Sequence, residues 1–354
     1  MIARPLPLRP LALALVLVLA LLPACADTNA PLPEPESALL VVNSTANTLS
    51  IVPLESPASA VEVELGGTTP TPVGVSARNG IALVPLGLDN AVAVVDLRAG
   101  IVLRRIPLPD NSGATGSAIV DDSIAYVANP NLNSVSRVNY NEGTTTEVGV
   151  GVYPQGVVFA RGRVFVINGN LDQTFSPAGP SWITVIDPVT NQRAAPTDSI
   201  PLTGPGNAGF GDVAGDGLLY VVSTGSFFQG EGRLSVVDPV ALTELASFAG
   251  LGTGPQAVAA HENQVYVSSF AEGLLVFDSD SNEVVRGAGN GVAIPLNAGV
   301  AADGQGRVYA IESGSCQGGE PGTAHVLNAE LEEVSAIPLG ECSAGALVTE
   351  ITPE

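Results

Sequence analysis

Three observations predict an all-β chain folded as a seven-bladed β-propeller of four-stranded antiparallel blades. The first is a pair of short strand-like runs split by turn formers, plainest in SIAYVANPNLNSVSRVN from Ser123 to Asn139. The second is the recurrence of that pair. The large central residues of its first run, Leu40, Leu83, Tyr126, Phe165, Tyr220, Tyr266 and Tyr309, stand 43, 43, 39, 55, 46 and 43 residues apart. Four-stranded units at a period in the low forties are blades. The third is composition: 40 Gly, 28 Pro and only 14% charged residues suit aliphatic strands joined by many turns.

Taken in order, the chain begins with residues that do not belong to the ring. Arg4 and Arg9 precede an apolar run from Leu11 to Leu22, the pattern of an export signal and too short a run for a membrane span. Leu22-Pro23-Ala24-Cys25 resembles the lipobox of bacterial lipoproteins, with Pro an unusual second residue. That resemblance implies removal of residues 1–24 and lipidation of Cys25, against the plainer reading of a secretory signal with a chance Cys. Residues 25–37, with Pro31, Pro33 and Pro35, read as an extended tether of roughly 35 Å at about 3 Å per residue, or as a tail with no spacing role. Loss of residues 1–24, which hold two Arg and no acid, moves the net charge from −22 to −24. Every basic residue is Arg. Such a charge repels phosphate backbones and anionic lipid, so nucleic acid is not an expected partner and the acyl chain is left to hold the membrane.

Residues 38–354 carry the repeats. The second strand of each blade reads LLVVN, IALVP, IAYVAN, RVFVIN, LLYVVS, QVYVSS and RVYAIE, and the third follows in phase. Asp96, Asn139, Asp187, Asp238, Asp278 and Asn328 close six of the seven third strands, where a side-chain oxygen can start a turn. An innermost strand precedes each hairpin, as in PVGVSA at 72 and PQGVVFA at 154, except the hairpin at Ala38. Its missing strand lies at the other end, SAGALVTEI from Ser343 to Ile351. Three N-terminal strands plus this one close the ring and remove an open edge. The hairpin at Ala38 therefore opens blade one, and the hairpins that follow open blades two to seven.

Pro72-Val73-Gly74-Val75, Pro154-Gln155-Gly156-Val157, VANPNLNSVS and WITVIDPVTN resemble the repeat of the YVTN-type β-propellers, over essentially all of Ala38 to Ile351. The resemblance implies the fold. It does not choose an activity, because such propellers span surface-layer proteins, binding proteins and sugar-lactone hydrolases.

Strand order puts the loops between second and third strands on one face with the blade-to-blade connections. These loops are long after Asn168, Ser223 and Glu312, in blades four, five and seven, and short in blades one to three. Long loops on a rigid scaffold are where function sits. Phe175, Trp182, Phe227 and Phe228 lie in or beside two of them, either as ligand anchors or as plugs packing the loops onto the ring. Asn168, Phe175, Trp182, Phe227, Phe228 and Glu312 are thus the candidate ligand-binding residues. Cys316 and Cys342 fall on that same face and next to each other, and an exported even pair is expected to be a disulfide. The oxygens of Asp278 to Glu283 fit an ordinary turn better than a calcium loop. His261 and His325 do not converge, and Asp212, Asp216 and Asp303 are read as turn acids, with a channel-lining role for Asp212 the lesser reading.

The expected function is a membrane-anchored binding or scaffolding module, a monomeric propeller meeting a protein, peptide or glycan of the cell envelope. The alternative is a lactonase-like hydrolase in which carboxylates such as Glu312 activate water at the ring's mouth. A third reading, an inert spacer, does not explain the unequal loops. No catalytic residue and no cofactor is assigned; a structural or catalytic divalent cation on the axis is left open.

Overall fold

Every long run of the repeats forms a strand, and the strands group into seven separate antiparallel sheets. The structure is a computed structural model that describes residues 35–227 and 229–351, along with Met1. The lipobox with Cys25, most of the tether and Phe228 lie outside the described residues.

Blade one is built from both ends of the chain: innermost Ser343–Ile351, then Glu36–Asn43, Thr48–Pro53 and Val61–Glu64. Its first strand starts at Glu36, paired with Ile351, so the ring takes up two residues read from the sequence as tether. Blades two to seven have Ser76–Arg78, Ser117–Ile119, Pro154–Ala160, Ala208–Val213, Pro255–His261 and Asn297–Ala302 as their innermost strands. Each innermost strand contacts the next, and that of blade one contacts that of blade two. The ring is closed. The 55-residue step at blade four is absorbed in a long loop and in an outer strand split into Gln192–Arg193 and Ser199–Pro201, both pairing Trp182–Asp187.

No single core lies at the centre. Seven apolar clusters fill the seven gaps between neighbouring blades, such as Leu40, Val84 and Val95 between blades one and two. Sheets sandwiched on both faces need both faces apolar, which is why Ile124–Asn129 is buried at every residue rather than at alternate ones. The two sides of Leu39-Leu40 serve different gaps.

The repeat's signature residues acquire physical reasons. The Asn that ends the second strand is a buried pin. Asn129 donates to Ser134 and Ser136 on the third strand. Asn43 donates to Thr48 and Ser50 and accepts from Ser343 of the closing strand. The Asp or Asn closing the third strand accepts backbone N–H groups two and three residues on, as Asp96 does from Arg98 and Ala99. The Asp278 to Glu283 segment is such a turn, with Asp278 accepting from Ser281.

The Gly of the innermost strand is a seam residue. Gly345, Gly74, Gly116, Gly156 and Gly299 each face the innermost strand of the next blade. A Cβ on any of them would lie 2.3 to 3.1 Å from a carbonyl oxygen in that strand or in the residues leading into it. Only Gly lets the backbones approach so closely. Register shows two exceptions. Asp212 opposes Tyr220 as Val158 opposes Phe165, which puts Phe210 at the seam position of blade five. Ala259 opposes Tyr266 in the same way, which puts Ala257 there in blade six.

Candidate functional site

Two regions of the ring carry unusual chemistry: the loop face over blades four and five, and the axial channel.

The blade-four loop between Asn168 and Trp182 is a folded tip. Asp172 Oδ1 accepts from Thr174 N, Thr174 Oγ1 and Ser176 N, at 2.8, 2.7 and 3.1 Å. Those donors, led by the Thr174 hydroxyl, hold the Asp172 carboxyl below its ordinary value. An isolated bridge between Leu171 and Pro177 closes the base of the tip. Phe175, at φ +59°, stands at its end, 55% exposed, with its ring edge-on to Tyr153 at 5.7 Å. Gly206 joins this loop to that of blade five: a Cβ there would meet Gly179 O at 2.3 Å, and Gly206 O accepts from Gly225 N. Phe227, in that second loop, is 50% exposed. The structure therefore brings the Phe175 and Phe227 loops together, and neither ring is a buried plug.

The other candidates are placed differently. Asn168 is 0% exposed; it accepts from Gly151 N and donates to Trp182 O and Thr184 Oγ1, so its amide serves the blade. Trp182 is half-buried at the foot of the loop, its ring so close to Gly151 that a Cβ there would lie 2.6 Å from Cζ2. Glu312 is turned away from the channel. Its Oε2 meets His325 Nε2 at 2.9 Å, and Glu333 Oε2 meets His325 Nδ1 at 3.1 Å. This Glu–His–Glu chain runs diagonally across three neighbouring strands of blade seven, Glu312 lying opposite Thr323 and Glu333 opposite Leu327, and sequence reading missed it. His261 takes no part in it.

Cys316 and Cys342 are disulfide-bonded, with Cα atoms 4.5 Å apart. The bond ties the blade-seven loop to the residue before the closing strand, where Thr45 Oγ1 also donates to Cys316 O. Both cysteines line the mouth of the axial channel.

The channel has a volume of about 730 Å³, within the range of small-molecule sites. Val75, Ser117, Val157, Val258, Val300 and Ala346 line it, one per blade; at the matching position blade five has Gly211. No Arg or His lines it, and Asp212 is its one acid among the described residues. This corrects the reading of Asp212 as a turn acid. Asp216 and Asp303 do serve turns: Asp216 accepts from Leu218 N and Tyr220 OH, Asp303 from Gln305 N, Arg307 and Tyr309 OH. Asp212 instead accepts from Val213 N at 2.8 Å and from Ala260 N of blade six at 3.0 Å. It lies deep in the ring with part of its surface on the channel. Burial raises its pKa above the ordinary value, against the two backbone donors.

Neither a protein-family model nor a curated protein matches the chain. Among solved structures it is similar to Kuenenia stuttgartiensis hydrazine synthase, with a TM-score of 0.63 and 14% sequence identity. The match covers 80% of this chain and 96% of that one. At that identity the likeness shows the fold alone, a seven-bladed β-propeller.

Proposed function

We propose that the chain is an exported, lipid-tethered propeller that binds a protein, peptide or glycan of the cell envelope through the loops of blades four and five. The observation that carries this reading is the display of Phe175 on a tip whose shape is fixed by Asp172, knit through Gly206 to the loop that holds Phe227. Exposed aromatics on pre-ordered loops cost little entropy to bring into an interface. The export-signal pattern, the lipobox resemblance at Cys25 and the likeness to YVTN-type repeats support the envelope setting. For the hydrolase alternative, the carboxylate that the sequence singled out, Glu312, is engaged with His325 instead of facing the channel.

A photo-crosslinking residue placed at Phe175 should give partner adducts in intact cells. The same residue at Val189, in a turn on the opposite face, should give none. F175A with F227A should remove the adducts formed from a crosslinker at Thr174 and leave Tm nearly unchanged, since interface anchors are often worth at least about 2 kcal/mol each. Adducts from Val189 alone, or from neither position, would overturn the proposal.

A further inference from the structure

Of the two departures from the seam glycine, Phe210 and Ala257, one puts a large side chain on the axis. Blade five has an aromatic ring where five other blades have the seam glycine, and the ring enters the channel. Phe210 reaches the far wall: a Cβ on Gly74 of blade two would lie 3.8 Å from Phe210 Cε1. Two residues along the same strand, Asp212 supplies the channel's one carboxyl among the described residues. Each of its oxygens accepts one backbone N–H, which leaves acceptor capacity on both, and among the described residues no Arg or His pairs with it. Places where a sequence departs from its own structural rule are often functional ones.

We propose that the axial channel is a second binding site, for an apolar ligand carrying one ammonium group, with the Phe210 ring and the Asp212 carboxylate receiving the cation. The chemistry follows from the wall. Val75, Val157, Val258 and Val300 offer an apolar sleeve for an aliphatic body. An anionic ligand has no cation to meet there. An ammonium group meets a carboxylate through charge-assisted hydrogen bonds and an aromatic face through cation–π attraction. The raised pKa of Asp212 is what an unpaired acid in such a place shows, and an arriving ammonium would favour its charged form. The site is independent of the loop face proposed above.

The test is calorimetric titration of the full-length protein, at physiological ionic strength, with three probes of one chain length: octylamine, octanol and octanoate. Octylamine should bind once per chain, octanol about tenfold or more weakly, and octanoate not at all. Asp212→Asn should bring octylamine down to the octanol level without changing octanol. Val75→Trp, which fills the sleeve, should remove both. Acidification through the Asp212 titration should weaken octylamine and spare octanol. Octanoate binding as well as octylamine, octylamine binding untouched by both substitutions, or no saturable binding by any probe would each overturn the proposal. The three-probe comparison on unsubstituted protein decides the matter even if a variant misfolds.

Discussion

The seam between blades four and five and the seam between blades five and six are neighbours built by different means. In the first, Gly156 lies so close to Gly209 O that a Cβ would sit 2.4 Å from it. In the second, Phe210 fills the seam position, and Gly209, one residue before it, has room: a Cβ there would find Gln256 O no nearer than 4.0 Å. This second seam is also bridged by Asp212, which accepts from Ala260 N of blade six. The contrast teaches that the repeat glycine is a spacing device. Where Phe210 replaces it, a polar bridge stands beside the seam and a side chain gains access to the axis.

That comparison can be broken most forcefully at the glycines. Gly156→Ala should cost more than about 3 kcal/mol, above the common range for overpacking, because the atom it strikes is a backbone carbonyl that cannot rotate away. Gly209→Ala should change stability by less than about 1 kcal/mol, and loss of unfolded-state freedom favours the substituted chain. Paired urea melts measure both; equal costs would show that closeness to the next blade's carbonyl does not set the cost of a seam substitution.

Next in size is the covalent link across the closure. Reducing Cys316–Cys342, or replacing both with Ser, should cost roughly 3–4 kcal/mol by the loop-entropy estimate for a separation of 26 residues. Hydrogen exchange should then rise first in the closing strand and its partner Glu36–Asn43, and not at the glycine seam of blade four. Uniform exchange around the ring would show that closure is no weaker than any seam.

The smallest effect concerns the polar bridge itself. The folded pKa of Asp212 lies above the ordinary value of 3.8, so this group's contribution to stability is fully present below about 3.8 and is lost as pH rises through the folded pKa. The stability of the unsubstituted protein minus that of Asp212→Asn should therefore fall as pH rises across that window. Asp303 has the opposite sign: although burial works against it, Arg307 and Tyr309 hold its carboxyl below the usual range, so its contribution is lost on acidification. A difference curve that is flat, or that rises with pH, would show that Asp212 is not a desolvated acid.

The blades, the closing strand, the Asx turns and the disulfide were legible in the sequence because each rests on a local signal repeated in phase. Asp96 and Asp238 announce their turns with the chain's own numbering. The axial site was not legible for a specific reason. FGDVAG looks like a weak copy of the repeat, and only the pairing of Asp212 with Tyr220 shows that Phe210 has taken the glycine's place. The same holds for Glu312, His325 and Glu333, which are 13 and 8 residues apart along the chain and become neighbours only across strands. Asn168 shows the opposite case: a candidate by its place at the root of a long loop, it is fully buried and hydrogen-bonded within its blade, which no local signal in the sequence announces.

The pairing of Glu36 with Ile351 has a directional consequence. Glu36 opens a second strand and Ile351 ends an innermost one, so both ends of the ring leave from the face of the turns that follow the innermost strands. The loops bearing Phe175 and Phe227 point the other way. An attachment made through either end of the ring therefore starts on the side away from the loops that hold Phe175 and Phe227.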